Sequence, residues 1–302
     1  MNTKDMTHND WLEARRKGLG GSDAGAILGL NKWATPLDVY LDKTGQAEPI
    51  EDNDAMYWGR TLEDIVADEY AKRTGNKVRR INKILQHKDH DFILANLDRD
   101  LISQNGILEC KTALRSDGWG DDGSDEVPDS YLAQVMHYMA VTGAEFADLA
   151  VLIAGRDFRI YTITRDEDLI NEIIKREVSF WNDHVLAKVV PDPVTNADFN
   201  HRWPNDNGEN IVADSDQQQR VSTLRQIKNK IKDLNSNAKE LEAEIKKSMA
   251  DASALTDVEG KPLVTWKRRV SKRLDTKRLK VEQQEIYDQY AVESSSRTFL
   301  IK

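Results

Sequence analysis

The segment Ile107-Leu108-Glu109-Cys110-Lys111, with Asp98 eleven residues before Glu109, constrains this chain more than any other. Side chains alternate between the two faces of a strand. Ile107, Glu109 and Lys111 therefore share one side, and Leu108, Cys110 and Thr112 the other. Asp98 sits near the end of the preceding apolar run, Phe92 to Leu97, and Gln104-Asn105-Gly106 carries the signal of a hairpin turn. Two adjacent strands would hold Asp98, Glu109 and Lys111 together. Paired carboxylates can hold a hard divalent cation through oxygen ligands, and a nearby ammonium can orient or activate a water. That is the chemistry needed to cut a phosphodiester. A Glu-x-Lys pair on a strand is more often a solvated face, so the surrounding segments decide.

Periodicity places helices and strands around this centre. Trp11 to Arg16 reads as a short helix. Gly18-Leu19-Gly20-Gly21-Ser22-Asp23 then precedes an apolar stretch, Ala24 to Leu30, with Ser22 or Asp23 as N-cap of a second helix. Exposed amides at such a start suit a phosphate, though an ordinary cap needs the same residues. Pro36 to Lys43 reads as a third helix. Ala55 to Arg73 reads as a fourth, with Leu62, Ile65, Val66 and Tyr70 on its apolar stripe and Glu63 beside it. One strand is expected around Ile84 to Leu101 and a second at Gly106 to Ala113, the two forming the hairpin, followed by an acidic loop, Ser116 to Glu126. Pro128 opens a helix that Gly143 closes, with Tyr131, Gln134, Tyr138 and Val141 on one face. A glutamine on such a face needs partners if it is buried. A second hairpin turns at Gly155-Arg156, and a long helix covers Asp166 to Ala187. Helices, strands, helix, strands and helix in this order fit an α+β arrangement with helices packed on a mixed sheet.

The polar stretch Pro191 to Asp216 reads as a boundary, giving domains at 1–210 and 211–302. Beyond it, Val221, Leu224, Ile227, Ile231, Leu234, Ala238, Leu241, Ile245 and Met249 recur at three- and four-residue intervals, the spacing of a long amphipathic helix. A β-hairpin is expected about Glu259-Gly260-Lys261, with Pro262 to Leu274 after the turn. Within an acidic chain of net charge −9, the run holding Lys267, Arg268, Arg269, Lys272 and Arg273 reverses the local sign. It is either a solvated surface or a contact to the DNA backbone. Cys110 is the one cysteine, so no intramolecular disulfide can form and a reducing compartment is expected. No apolar run is long enough to span a bilayer.

Together, Trp11-Leu12-x-x-Arg15, Gly18 to Asp23, Trp58-Gly59-Arg60-x-Leu62-Glu63, Asp98, Leu108 to Thr112 and Tyr131-Leu132-Ala133-Gln134-Val135-x-His137-Tyr138 resemble the YqaJ-type viral recombinase family. That family includes lambda exonuclease and lies within the PD-(D/E)xK nuclease superfamily. The resemblance covers roughly residues 11–186. It implies a restriction-endonuclease-like mixed sheet flanked by helices, here with a C-terminal helical and β-hairpin extension. It implies Mg²⁺, with Mn²⁺ as substitute and two ions per site, bound by Asp98, Glu109, the Cys110 carbonyl and Glu63. Lys111 would position or deprotonate the attacking water, Gln134 would fix Lys111 or the substrate, and Tyr131 would line the site. Arg15 and Ser22 match the pocket for the 5′-phosphate of a DNA end.

The implied activity is 5′→3′ digestion of one strand of linear duplex DNA, leaving a 3′ overhang for a single-strand annealing recombinase. A homo-oligomer, a ring-shaped trimer in relatives, and a bacterial or phage-infected cytoplasm follow from the same resemblance. An endonuclease or single-strand nuclease of the same fold, or a non-catalytic DNA-end binding protein, are the alternatives. One departure stands out: Arg99 follows Asp98 where the family usually has glycine, and Asp100 shares a strand face with Asp98.

Overall fold

The computed structural model describes residues 1–48, 51–293 and 296–301. The chain divides into two compact units, Met1–Phe199 and Asn200–Lys302.

In the first unit, helix starts are set by local side-chain hydrogen bonds. Thr7 and Asp10 form a capping box for α1 (His8–Arg16). The next helix, α2 (Gly21–Ile27), is capped by Gly20 rather than by Ser22 or Asp23. Asp23 lies in its first turn instead and accepts the Gly20 amide at 2.8 Å. Thr35 and Asp38 box the start of α3 (Pro36–Lys43), and Asn53 caps α4 (Asp54–Thr74). Gly75 ends α4 at φ 75°, a left-handed position that glycine takes without a Cβ penalty. Val66, Ala67 and Tyr70 form the buried face of α4. Ile65, expected on that stripe, is exposed, because the face is set one position later and a helix turns about 100° per residue.

The stretch Ile84 to Leu101 is not one strand. After β1 (Val78–Arg79) come β2 (Leu85–Gln86) and β3 (Leu94–Ala95), which pair only with each other, and then β4 (Arg99–Leu101). Competition for backbone groups explains the break. The Leu19 amide donates to Phe92 O at 2.6 Å and the Leu94 amide to Leu19 O at 2.7 Å, so this chain segment is tied to the start of α2 rather than to the main sheet. Gly18 is required where those segments meet, since a Cβ there would collide with the Phe92 carbonyl oxygen and the Leu94 side chain.

The sheet is completed by β5 (Gly106–Ala113), α5 (Asp129–Thr142), β6 (Phe146–Ile153) and β7 (Asp157–Thr164). Strand order is β1-β4-β5-β6-β7. The pair β5–β6 is parallel, as a strand–helix–strand crossover through α5 demands, and the other pairs are antiparallel. Asp166 caps α6 (Glu167–Phe180), whose last stretch changes to π-helical turns over Trp181–Leu186. Both faces of the sheet are covered. Ile107, Leu149, Val151 and Tyr161 pack with residues of α5 and α6 such as Val135, Met139 and Ile173. Leu108, Ala150 and Phe158 pack with Val66, Ala67 and Tyr70 of α4. The architecture is thus the mixed α/β sheet flanked by helices expected for the restriction-endonuclease-like class.

A fully buried pair ties these layers together. His137 Nδ1 lies 2.7 Å from Glu177 Oε1, and His137 Nε2 lies 2.8 Å from Leu94 O. Glu177 on α6, His137 on α5 and the backbone of β3 are thereby held in one register.

A short helix, α7 (Asn196–Arg202), crosses the boundary between the units. In the second unit, α8 (Ser215–Met249) opens with an Asp214–Gln217 capping box. Its apolar stripe is largely exposed, with Leu234 66% and Leu241 61% accessible. The hairpin β8 (Ala254–Thr256) and β9 (Pro262–Thr265) turns through Gly260 at φ 82°. The second strand stops at Thr265 instead of continuing to Leu274. Pairing ends there because the partner side runs out: Ala254, the first residue of β8, lies opposite Thr265, and the chain before it leads within a few residues into the end of α8 at Met249. Lys267, Arg268, Arg269, Lys272 and Arg273 are all exposed in irregular chain. The unit closes with α9 (Thr276–Glu282) and α10 (Gln284–Tyr290).

Gly18→Ala should destabilise the first unit by about 1–3 kcal/mol, the usual cost of overpacking. Urea unfolding followed by tryptophan fluorescence checks this, and an unchanged midpoint would contradict the close approach described for Gly18.

Candidate active site

Strand alternation sends Glu109 and Lys111 of β5 toward α5, where the helical spacing delivers Gln134 and Tyr138 one turn apart. The four side chains interlock. Lys111 Nζ donates to Glu109 Oε1 at 2.7 Å and to Gln134 Oε1 at 3.0 Å. Gln134 Nε2 donates to Glu109 Oε1 at 2.8 Å and lies 3.0 Å from the Tyr138 hydroxyl. Gln134 is thus the partnered, buried amide that its position on the helix face called for. The Lys111 ammonium also stands 4.8 Å from the centre of the Tyr131 ring, a cation–π distance. Tyr131 is in turn backed by Trp119, ring centres 5.4 Å apart.

Asp98 lies just before β4 and accepts the Cys110 amide through Oδ2 at 2.8 Å. This bond fixes it beside the β5 backbone between Glu109 and Lys111. Burial, reinforced by the charges of Glu109 and Glu63, pushes its carboxyl well above the usual 3.8, against the opposing pull of Lys111. Glu109 is 4% exposed, and its Oε2 has no hydrogen-bond partner among the described residues. Burial alone would lower the Lys111 ammonium, but Glu109 and Asp98 outweigh it and hold Lys111 above its usual value. Burial also raises the Cys110 thiol, which agrees with a core role for that side chain rather than a nucleophilic one. Among the described residues, no three acidic, histidine or cysteine side chains are gathered closely enough to hold a metal ion. What the site offers is two carboxylates and the strand backbone between them. The unpartnered Oε2 and the destabilised Asp98 are features that a divalent cation would relieve, so the donor set fits such an ion.

Glu63 is differently engaged. It comes from α4, on the opposite face of the sheet, and its Oε1 accepts from Arg99 Nη1 at 2.6 Å and from Arg80 Nη2 at 3.1 Å. Asp100, the possible helper of Asp98, is bound by Arg79 at 2.6 Å. No sequence pattern encodes either arginine interaction with Glu63; the one signal is the arginine at position 99, where the family usually has glycine.

Arg15 and Ser22 are brought together. Arg15 Nη2 donates to Ser22 Oγ at 3.0 Å while its guanidinium stacks on Trp11, 4.7 Å from the ring centre. The helix start beside them already carries an anion. Asp23 holds the Gly20 amide and is paired with buried Lys43 at 2.8 Å. Burial would raise the Asp23 carboxyl, but Lys43 and Arg15 hold it below its usual 3.8. The Gly20 amide is therefore taken.

The mixed sheet flanked by helices, with two carboxylates and a lysine side by side on neighbouring strands, defines the class of fold and places the candidate site on β4 and β5. The profile of the YqaJ-like viral recombinase domain matches residues 10–145. Uncharacterized protein YqaJ of Bacillus subtilis (strain 168) is 44% identical over 308 aligned positions, covering 99% of this chain and 95% of that protein. The chain belongs to the YqaJ-like viral recombinase family, a group of lambda-exonuclease-like nucleases. Similar solved structures include an alkaline exonuclease from Laribacter hongkongensis, 19% identical, covering 60% of this chain and 93% of that chain with a TM-score of 0.46. Another is a phage related exonuclease from Haemophilus somnus 129PT, 14% identical, covering 57% of this chain and 96% of that chain with a TM-score of 0.44. Among the described residues, no helix is long and apolar enough to cross a membrane.

The raised Asp98 carboxyl has a stability consequence of definite sign. An acid whose folded-state pKa is raised costs stability once pH exceeds its unfolded value, near 3.8, and the cost grows until the folded-state value is passed. Asp98→Asn cannot ionise and can still accept the Cys110 amide. In chelator at pH 7.5 it should therefore melt above the wild type, with the gap closing toward pH 4. A lower melting temperature for Asp98→Asn across that range would contradict the electrostatic assignment.

Proposed function

We propose that this protein is a metal-dependent exonuclease that digests one strand of linear double-stranded DNA from its 5′ end. The observation that carries this reading is the buried, unpartnered Glu109 Oε2 beside a destabilised Asp98, next to a lysine that Gln134 and Glu109 hold in place.

Asp98, Glu109 and the Cys110 carbonyl would hold Mg²⁺, with Mn²⁺ as a substitute. When bound, the ion supplies Lewis-acid stabilisation of the phosphoryl oxygens and lowers the pKa of a nucleophilic water. Lys111, held by two acceptors, presents its ammonium to that water or to a phosphate oxygen. Gln134 keeps Lys111 from swinging away by accepting from Nζ while its own amide group stays on Glu109. Tyr131 packs under the lysine and walls the site. This positioning is the larger part of what protein groups contribute to phosphodiester cleavage.

Arg15 and Ser22 would take the 5′-phosphate of the DNA end, which favours an end-anchored exonuclease over an endonuclease. Lys267, Arg268, Arg269, Lys272 and Arg273 would add salt-sensitive contacts to the DNA backbone. The product would be a 3′ overhang for a single-strand annealing recombinase, made by a homo-oligomer in the bacterial or phage-infected cytoplasm. The complete set of Asp98, Glu109, Lys111 and Gln134 weighs against a non-catalytic DNA-end binding protein.

With Mg²⁺ and linear duplex DNA, the 5′-phosphorylated strand should be lost progressively, more slowly from 5′-hydroxyl ends. Lys111→Ala should cut the rate by a factor of about 100 or more, as removal of one preorganised donor commonly does. Arg15→Ala should erase the preference for 5′-phosphate while leaving slow digestion. Equal rates on both ends in the wild-type protein would overturn the end-anchored reading, and no digestion would overturn the catalytic one.

A further inference from the structure

Arg99 is 5% exposed, and a buried guanidinium persists only where its charge and donors are matched. Its partners are specific. The same nitrogen, Nη1, donates to Glu63 Oε1 and to the backbone carbonyl of Asp98, both at 2.6 Å. Nη2 pairs with Asp64. Arg80 closes the group from the outside, with Nη2 3.1 Å from Glu63 Oε1 and 2.7 Å from Asp64 Oδ1. Two arginines and two carboxylates form a quartet whose formal charges cancel. Glu63 and the Asp98–Glu109 pair come from opposite faces of the sheet, and Arg99 spans them.

Both guanidinium groups sit on Glu63 Oε1, so a divalent ion taken by its other oxygen would lie directly beside two positive charges. It would also sit against a cation that cannot lose its proton and, being buried, cannot leave cheaply. Among the described residues Asp98 and Glu109 make no ion pair with either arginine of the quartet, and Lys111 engages Glu109 through Oε1, which leaves Oε2 for a metal.

We infer that Arg99 takes the place of a second metal ion. The site binds one divalent ion, at Asp98 and Glu109, while the Arg99 guanidinium neutralises Glu63 and holds the Asp98 backbone. Arg99 is in this sense a positioning residue, acting through Glu63 and Asp98. The inference rests on the reading that Asp98 and Glu109 hold a metal.

The test counts ions rather than activity. Metal-free full-length protein is titrated with Mn²⁺, and the free ion is followed by its paramagnetic resonance signal. The wild-type chain should bind one Mn²⁺, and Asp98→Asn should lose it. Arg99→Gly leaves Glu63 only the half-exposed Arg80, which can swing into water, and should bind a second ion; Glu63→Gln in that background should return the count to one. Arg99→Lys keeps a cation and should stay at one.

Melting curves confirm that each variant is folded, and the wild-type count needs no variant at all. Two ions in the wild-type chain, or a folded Arg99→Gly that still binds one, would overturn the inference while leaving the nuclease reading intact. No Mn²⁺ bound by the wild type would instead overturn the metal reading on which the inference stands.

Discussion

Everything at the site depends on keeping Asp98 and Glu109 close together in a partly buried setting. Like charges at such a distance oppose each other, and burial removes the water that would screen them. The chain meets part of this cost with Lys111, Gln134 and the Cys110 amide and leaves the rest uncompensated, visible in the bare Oε2 of Glu109. Under the proposed function, this preorganised strain is what a bound divalent cation would relieve.

The fold makes that arrangement enforceable. Asp98 is fixed in register because β4 pairs with β5, with Arg99 opposite Leu108. The face of β5 that carries Glu109 is fixed because a one-residue slip would turn Ile107 and the whole apolar set to the wrong side. The crossover through α5 then brings Gln134 back over the same face, and the buried His137–Glu177 contact stops α5 from rotating. On the far face, α4 delivers Glu63 into a neutral arginine–carboxylate quartet. In the proposed reading, substrate end and metal site are set by different elements, α1 and α2 for Arg15 and Ser22, β4 and β5 for the carboxylates. Loss of end recognition and loss of chemistry should accordingly be separable.

How legible this was depends on whether the information is local. β5 was readable because its alternation is strict, and α5 because Pro128 and Gly143 mark its ends. The stretch Ile84 to Leu101 is not legible as separate short strands because its fate turns on Leu19, some seventy residues earlier, which captures the backbone of Phe92 and Leu94. The cap of α2 was misplaced because Asp23 reaches back to Gly20 rather than sitting at the helix boundary. The pairing of Arg99 with Glu63 spans 36 residues and joins two faces of a sheet, and no periodicity encodes it. The basic run after β9 is visible in the sequence, but its irregular backbone follows from where α8 ends and β8 begins on the other side of the hairpin, which a turn signal does not register.

The most direct measurement is the location of a bound ion. Crystals of the full-length protein soaked in Mn²⁺ should give an anomalous difference peak within ligand distance of Asp98, Glu109 and the Cys110 carbonyl oxygen. A peak seated on Glu63 with Arg99 displaced, or none near Asp98 and Glu109, would contradict the account.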